Sequence, residues 1–290
     1  MGPTRGLGSE HAAGGLLRSA ERICGGGGMR PVRIPLRNPI ASADLVEKED
    51  ERHRRNWLVR GIGPQGHARL AASRILVVGA GGLGSPVLLY LGAAGVGTLG
   101  ICDFDVVERS NLSRQVIHAD RSVGHNKAES AAQHLQALDP DLTVHTFGRV
   151  TSEFLDAHRD EWDLILECSD NFSTKYLVAD WCAASGVPLV WGTVVDMIFQ
   201  VSVFWSRPLP GIPATTLRDL HPRIPDPGTT PVSTQVGVLG PVVGQAGTIM
   251  ATEAIKLITG VGRPLIGQVL YGDSRQNRYE TLTFARVEDE

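Results

Sequence analysis

Apolar residues along this chain fall into short runs separated by segments with helical spacing. The first run, at residues 75–78, leads into Gly79, Gly81 and Gly84, and from 87 to 91 the apolar positions take helix-like spacing. The stretch RILVVGAGGLGSP, residues 74–86, therefore predicts strand, tight turn and helix. Further strands are predicted at 98–102 (TLGIC), 143–147 (TVHTF), 163–167 (DLILE) and 188–192 (PLVWG), with helices at about 126–138 and 173–185. This alternation predicts an α/β fold of Rossmann-like, doubly wound type, with a mainly parallel sheet and helices on both faces.

Beyond residue 192 the pattern changes. Residues 198–205 (IFQVSVFW) read as a strand, and 206–235 as a long Pro-rich crossover loop, a length that in a compact domain usually serves function. A long apolar helix is predicted over 237–260 with Gly260 as its stop, followed by strands near 267–272 and 279–285 that form an antiparallel C-terminal edge. Residues 49–70 predict a short helix, a turn and a second short helix leading into the first strand. Residues 1–48 lack periodicity and hold GGGG at 25–28, just before Met29, an alternative start. They are expected to be a flexible N-terminal extension, with 49–290 forming one domain.

Composition narrows the class. With 290 residues, 42% hydrophobic and 20% charged, the chain can bury a full core and is neither disordered nor fibrous. A net charge of -3 without a long basic run leaves no electrostatic footprint for nucleic acid, so no nucleic-acid partner is expected. No apolar run approaches the roughly 20 residues of a membrane span, and the N-terminus lacks a secretory core, so no membrane partner and a cytoplasmic location are expected. Cys24, Cys102, Cys168 and Cys182 form no C-x-x-C pair, which argues against a disulfide framework; the last three sit in apolar segments suited to buried thiols.

The candidate chemistry lies where the strands end. The pattern Gly79-x-Gly81-x-x-Gly84 lets phosphate oxygens approach backbone amides at the positive end of a helix, although the same glycines would also serve plain strand–helix packing. Asp103 follows Gly79 by 24 residues and could take the ribose of NAD or of ATP equally well. The segment DFDVVERSNLSRQ (103–115), Lys127, and Asp170 with Asn171 favour ATP. Arg114 and Lys127 can neutralise a triphosphate, and Asp170 can hold magnesium, an oxygen-seeking ion; a nicotinamide site needs no such set.

These motifs, with RRNWLVRGIGPQGHARL, HNKAES, ECSDNF, VPLVWGTV, GVLGPVVG and ATEAIKLITG in order, resemble the ThiF/MoeB/HesA adenylyltransferases, relatives of ubiquitin-activating enzymes, over roughly residues 51–286. The resemblance implies an ATP-binding domain over 49–290 that uses Mg2+-ATP to adenylate the C-terminal glycine of a ubiquitin-like sulfur-carrier protein ending in Gly-Gly. It implies that Gly79, Gly81, Gly82 and Gly84 shape the phosphate loop and that Asp103 takes the ribose. Ser110, Asn111, Arg114, Gln115 and Lys127 are then expected around the phosphates, with Asn171 at the nucleotide and Asp170 as the Mg2+-associated carboxylate. Arg55 is expected to enter a neighbouring subunit's site, which implies a homodimer. The catalytic set so implied is Arg55, Arg114, Lys127 and Asp170.

Two departures matter. Many members hold zinc through two C-x-x-C pairs, and none occurs here, so no zinc site is expected; in this the chain resembles the zinc-free MoeZ-type relatives that carry a rhodanese domain. Where those relatives often place a cysteine before the GVLG motif, Ser233 stands here, and no rhodanese domain is expected after Glu290. A serine cannot replace a thiolate in sulfur transfer, so a separate sulfur donor, a rhodanese or a cysteine desulfurase, is expected. Trp191 and Trp205 are expected in the core, and His53, His118 and His221 lack metal-ligand spacing. Adenylation of another carboxylate, on a peptide or linked to tRNA, and a non-catalytic carrier-binding scaffold are the competing readings.

Overall fold

Strands rich in β-branched and aliphatic residues centre on β1 (Arg74–Val78) and β4 (Leu164–Glu167), whose residues are almost all buried. A computed structural model describes residues 32–37, 52–226 and 236–286, all within the compact unit Val32–Glu290. Its eight-stranded sheet runs β3-β2-β1-β4-β5-β6-β7-β8. The other strands are β2 (Thr98–Cys102), β3 (Thr143–Phe147), β5 (Leu189–Val195), β6 (Ile198–Phe204), β7 (Gln268–Asp273) and β8 (Arg278–Thr283). The first five in that spatial order pair in parallel, and β5 to β8 pair antiparallel. The expected mainly parallel sheet with an antiparallel C-terminal edge is thus what forms.

Eight α-helices are described: α1 (Arg54–Trp57), α2 (Gly63–Ala72), α3 (Gly84–Ala93), α4 (Lys127–Leu138), α5 (Ser152–Ala157), α6 (Phe172–Ser185), α7 (Leu217–Leu220) and α8 (Gly240–Thr259). Local chemistry sets their ends. The Asn126 and Asn171 side chains accept the Glu129 and Thr174 amides to cap α4 and α6, and Gly260, left-handed at φ +80°, stops α8 as its sequence predicts. α8 lies against α3, β5 and β6. The approach to α3 is close enough that a Cβ at Gly247 would meet the Leu83 carbonyl and the Pro86 ring.

Three features depart from the sequence expectation. Helix α5 is not anticipated, because six residues are too few to show a period; Thr151 creates it by capping the Phe154 amide. The 206–235 connection is not structureless: Thr216 and Asp219 form a reciprocal capping box that starts α7, while 227–235, including Ser233, lies outside the described residues. Within the stretch 1–48, residues 32–37 pack on the fold. Ile34 is 1% exposed and its amide donates to the Leu257 carbonyl at 2.9 Å, and the Arg37 amide donates to Asp163 at 2.7 Å. The other residues of 1–48, with Cys24 and Met29, lie outside the described residues.

Ile34→Ala should therefore lower the unfolding free energy by about 2–5 kcal/mol, as for other buried Ile truncations. Urea unfolding checks this, and an unchanged midpoint would detach residues 32–37 from the core.

Candidate active site

Strand order reverses between β1 and β4, so the helices following these strands leave on opposite faces and a crevice opens beyond the strand ends. A cleft of about 900 Å³ occupies this position. At its floor the chain leaves β1 through Gly79 at φ +97°, where any Cβ would press on the Cys168 backbone at 3.0 Å. A Cβ at Gly84, the first residue of α3, would collide with the Gly79 carbonyl oxygen. These two glycines are therefore dictated by backbone meeting backbone. No side chain caps α3, which leaves its positive end facing the loop.

Acidic and basic groups meet above that floor. Asp103, just past β2, accepts the Ala80 amide at 2.8 Å through Oδ2 and the Asp105 amide at 2.9 Å through Oδ1. Burial raises its pKa, while these two amides and the Lys127 ammonium pull it back. Lys127 opens α4, is 8% exposed, and donates to Asp105 Oδ2 at 3.1 Å. Arg114 follows a 3-10 turn at Arg109–Ser113 and donates to the Ser110 carbonyl at 3.2 Å. Asp170 and Asn171 connect β4 to α6, and Asp170 is exposed at the cleft wall.

Of the residues that sequence reasoning nominates, Gly79, Gly81, Gly82, Asp103, Arg114, Gln115, Lys127, Asp170 and Asn171 all line this one cleft. Gly84, Ser110, Asn111 and Arg55 do not. Asn111 is buried and its side chain accepts the Glu108 amide at 3.2 Å, while the Ser110 hydroxyl donates to Glu108 at 3.2 Å. Both thus shape the turn that carries Arg114. Arg55 is exposed on α1.

Several residues at or beneath the cleft lining escape sequence reasoning. Glu167 and Lys175 form a buried pair at 2.6 Å; complete burial raises the Glu167 pKa, and Lys175 opposes that shift. A carboxylate closing the apolar strand LILE was the available signal. The far half of the cleft holds Trp191, Thr193, Gln200, His221 and Arg223. There the Tyr176 hydroxyl reaches the carbonyls of Arg223 at 2.6 Å and His221 at 3.0 Å, tying the crossover segment to α6.

The expected packing roles of Trp191 and Trp205 hold, both being buried. Cys102, Cys168 and Cys182 are buried free thiols. Burial, then the Asp103 charge, pushes Cys102 up to about 12, and burial pushes the other two up as well. None is a thiolate near neutral pH. His118, also buried, links the loop to α4: Nε2 lies 2.9 Å from the Ala80 carbonyl and Nδ1 2.9 Å from the Ser130 hydroxyl. A carbonyl only accepts, so Nε2 carries the proton and Nδ1 accepts from Ser130. Among the described residues no group of three or more His, Cys, Asp or Glu is placed to hold a metal ion, and no helix is long and apolar enough to cross a membrane.

An α/β fold with a phosphate-type loop at its switch point and carboxylate, guanidinium and ammonium groups around one cleft defines a nucleotide-binding class. The chain belongs to the ThiF family, which it matches over residues 53–290. It is 45% identical over 254 residues to a probable adenylyltransferase/sulfurtransferase MoeZ of Mycobacterium tuberculosis, which covers 87% of this chain but 64% of that protein. It is 41% identical over 242 residues to the sulfur carrier protein adenylyltransferase of Thermus thermophilus, covering 83% of this chain and 89% of that one. Among solved structures, E. coli MccB determined with MccA-N7isoASN has a TM-score of 0.71 at 20% identity, over 84% of this chain and 74% of that one. The same enzyme with ATP gives 0.69 at 21% identity, over 82% and 72%. These two share the fold.

Burial lowers the His118 pKa, so the unfolded chain binds its proton more readily than the folded chain does. The resulting stability is present above the unfolded value of about 6.5 and is lost as pH falls below it. Urea unfolding between neutral pH and pH about 5 should show that loss, and His118→Gln, though less stable at neutral pH, should show a flatter decline. Parallel curves would remove His118 as a source of the slope.

Proposed function

We propose that this protein adenylates the C-terminal glycine carboxylate of a small ubiquitin-like sulfur carrier with ATP and releases pyrophosphate. The observation that carries the reading is the convergence of Gly79, Gly81, Gly82, Asp103, Arg114, Lys127 and Asp170 on one cleft. It occurs in a ThiF-family chain 41% identical to a protein named sulfur carrier protein adenylyltransferase.

The reaction forms a bond from a carrier carboxylate oxygen to the α-phosphorus and breaks the bond from that phosphorus to the bridging oxygen, which leaves with pyrophosphate. No general base is needed, because a C-terminal carboxylate is ionised near neutral pH. The obstacle is charge: an anion must approach a polyanion. Asp103, with both oxygens already oriented by backbone amides, takes the ribose hydroxyls. The loop amides hold phosphate oxygens, and Arg114 and Lys127 offset the charge that develops on the departing pyrophosphate. The exposed Asp170 carboxylate beside a phosphate loop fits Mg2+, which takes few protein ligands and completes its shell with water and phosphate oxygens. Held by Asp170, the ion would supply further positive charge at the phosphates. Most of the rate enhancement is then positioning and electrostatics.

The far half of the cleft, beneath the crossover segment, accommodates the slender Gly-Gly tail. With Ser233 at the position where a loop cysteine would serve and the described thiols buried, the product is the acyl-adenylate, and sulfur comes from a separate donor. The chain spans 64% of the length of its MoeZ relatives, and their sulfurtransferase step is not part of this proposal. Arg55, exposed on α1 beside Leu58 at 76% exposure and Val59 at 49%, completes the site of a second copy in a two-fold homodimer.

ATP–pyrophosphate exchange with carriers ending in Gly-Gly tests the reading. Exchange should require the carrier, and Asp170→Asn should reduce it at least about 100-fold while leaving the unfolding midpoint in place. Absence of exchange with every such carrier would overturn it. For the shared site, Arg55→Ala and Asp170→Asn should each be inactive alone. Mixed and allowed to exchange subunits, they should restore activity to about one quarter of the sites, because half the dimers then carry one intact site. No recovery on mixing would place Arg55 outside the partner's site.

A further inference from the structure

We propose that Glu167 and Lys175 act as a positioning unit that fixes the Asp170 carboxylate relative to both β4 and β5. The consequence for rate rests on the adenylation reading; the geometry does not. Glu167 is the last residue of β4 and is 0% exposed. Its Oε2 accepts from Lys175 Nζ at 2.6 Å, and its Oε1 accepts from the Ser169 amide at 2.9 Å and from the Ser169 hydroxyl. Lys175, in the first turns of α6, also donates to the Gly192 carbonyl of β5 at 2.7 Å. One carboxylate and one ammonium thus bind the strand before the loop, the loop itself, the helix after it, and the neighbouring strand. Asp170 is the residue next to Ser169.

Stability alone does not call for this arrangement. Desolvating two charges offsets much of their attraction, and apolar side chains of similar volume commonly hold a core as well. What apolar residues cannot supply is a charged acceptor for both Ser169 donors and a donor for the Gly192 carbonyl. Without them the Cys168–Ser169 peptide and the Ser169 hydroxyl, which lead into Asp170, lose the acceptor that orients them, although the sheet beneath stands. Gly192 is followed by Thr193, which also lines the cleft, so the same ammonium ties the loop that carries Asp170 to the β5 part of the lining. Misplacement of a reacting group by about 1 Å can cost roughly 100-fold in rate.

The test replaces the pair in the full chain by Glu167→Met together with Lys175→Met, which removes both charges and strands neither. Hydrogen exchange should become at least about tenfold faster at the Ser169 amide, whose acceptor is Glu167, and stay unchanged across β2, reporting local opening. Unfolding should remain cooperative. Pyrophosphate exchange should fall about 100-fold in kcat, with the KM for ATP within about threefold, because Asp103 and the glycine loop are untouched. Unchanged hydrogen exchange at the Ser169 amide, or a retained kcat, overturns the proposal, and so does faster exchange in β2 with a raised KM, which would report a general loss of packing. Should the double variant not fold, Ser169→Ala removes one donor to Glu167 without touching a buried charge. It should lower kcat about five- to tenfold at constant KM, and an unchanged kcat counts against the unit. If the unaltered protein shows no pyrophosphate exchange, the adenylation reading fails, and hydrogen exchange still decides the positioning role.

Discussion

Everything at the cleft depends on two backbones meeting without side chains between them, where β1 ends at Gly79 beside the Cys168 backbone. That contact brings the loop before α3 and the loop before α6 to the same place. It fixes the distance between the part of the chain that offers amides and the part that offers a carboxylate. A Cβ at Gly79 would separate them, and one at Gly84 would push the helix off its strand. The steric constraint therefore comes before the electrostatics, because the charged residues are useful only once their loops share a floor.

The electrostatics is then a matter of keeping charges apart from one another and from the core. Asp103 is held by two amides, and Lys127 turns toward Asp105 rather than toward Asp103 itself. Glu167 and Lys175 neutralise each other one layer deeper. The cleft lining thus includes Asp103, Arg114, Lys127 and Asp170, while Glu167 and Lys175 are satisfied by each other, by Ser169 and by the Gly192 carbonyl. His118 extends this pattern under the glycine loop by fixing the Ala80 carbonyl from below. Preorganisation of this kind lowers the reorganisation that a highly charged reaction would otherwise require.

Much of the fold was legible because its strands are short, apolar and separated by clear stops. TLGIC and TVHTF form strands with the expected bounds, and Gly260 ends its helix. Helix α5 was not legible because capping rather than periodicity creates it, and α7 was hidden in a proline-rich segment for the same reason. In the site, residues at strand ends could be read because their type and position carry the chemistry together. Ser110 and Asn111 share the segment SNLSR with Arg114, and sequence does not tell which of the three lines the cleft and which build its turn. Lys175 was silent because its partner lies eight residues away across a strand–helix junction, a spacing that no single period marks.

The buried thiols have a meaning beyond packing. In the proposed reaction a separate sulfur donor brings persulfides and oxidants close, and these attack or capture accessible thiolates. Here Cys102, Cys168 and Cys182 are shielded and held in the protonated form. The described part of the chain is therefore a poor partner for mixed disulfides and for sulfenic acid formation.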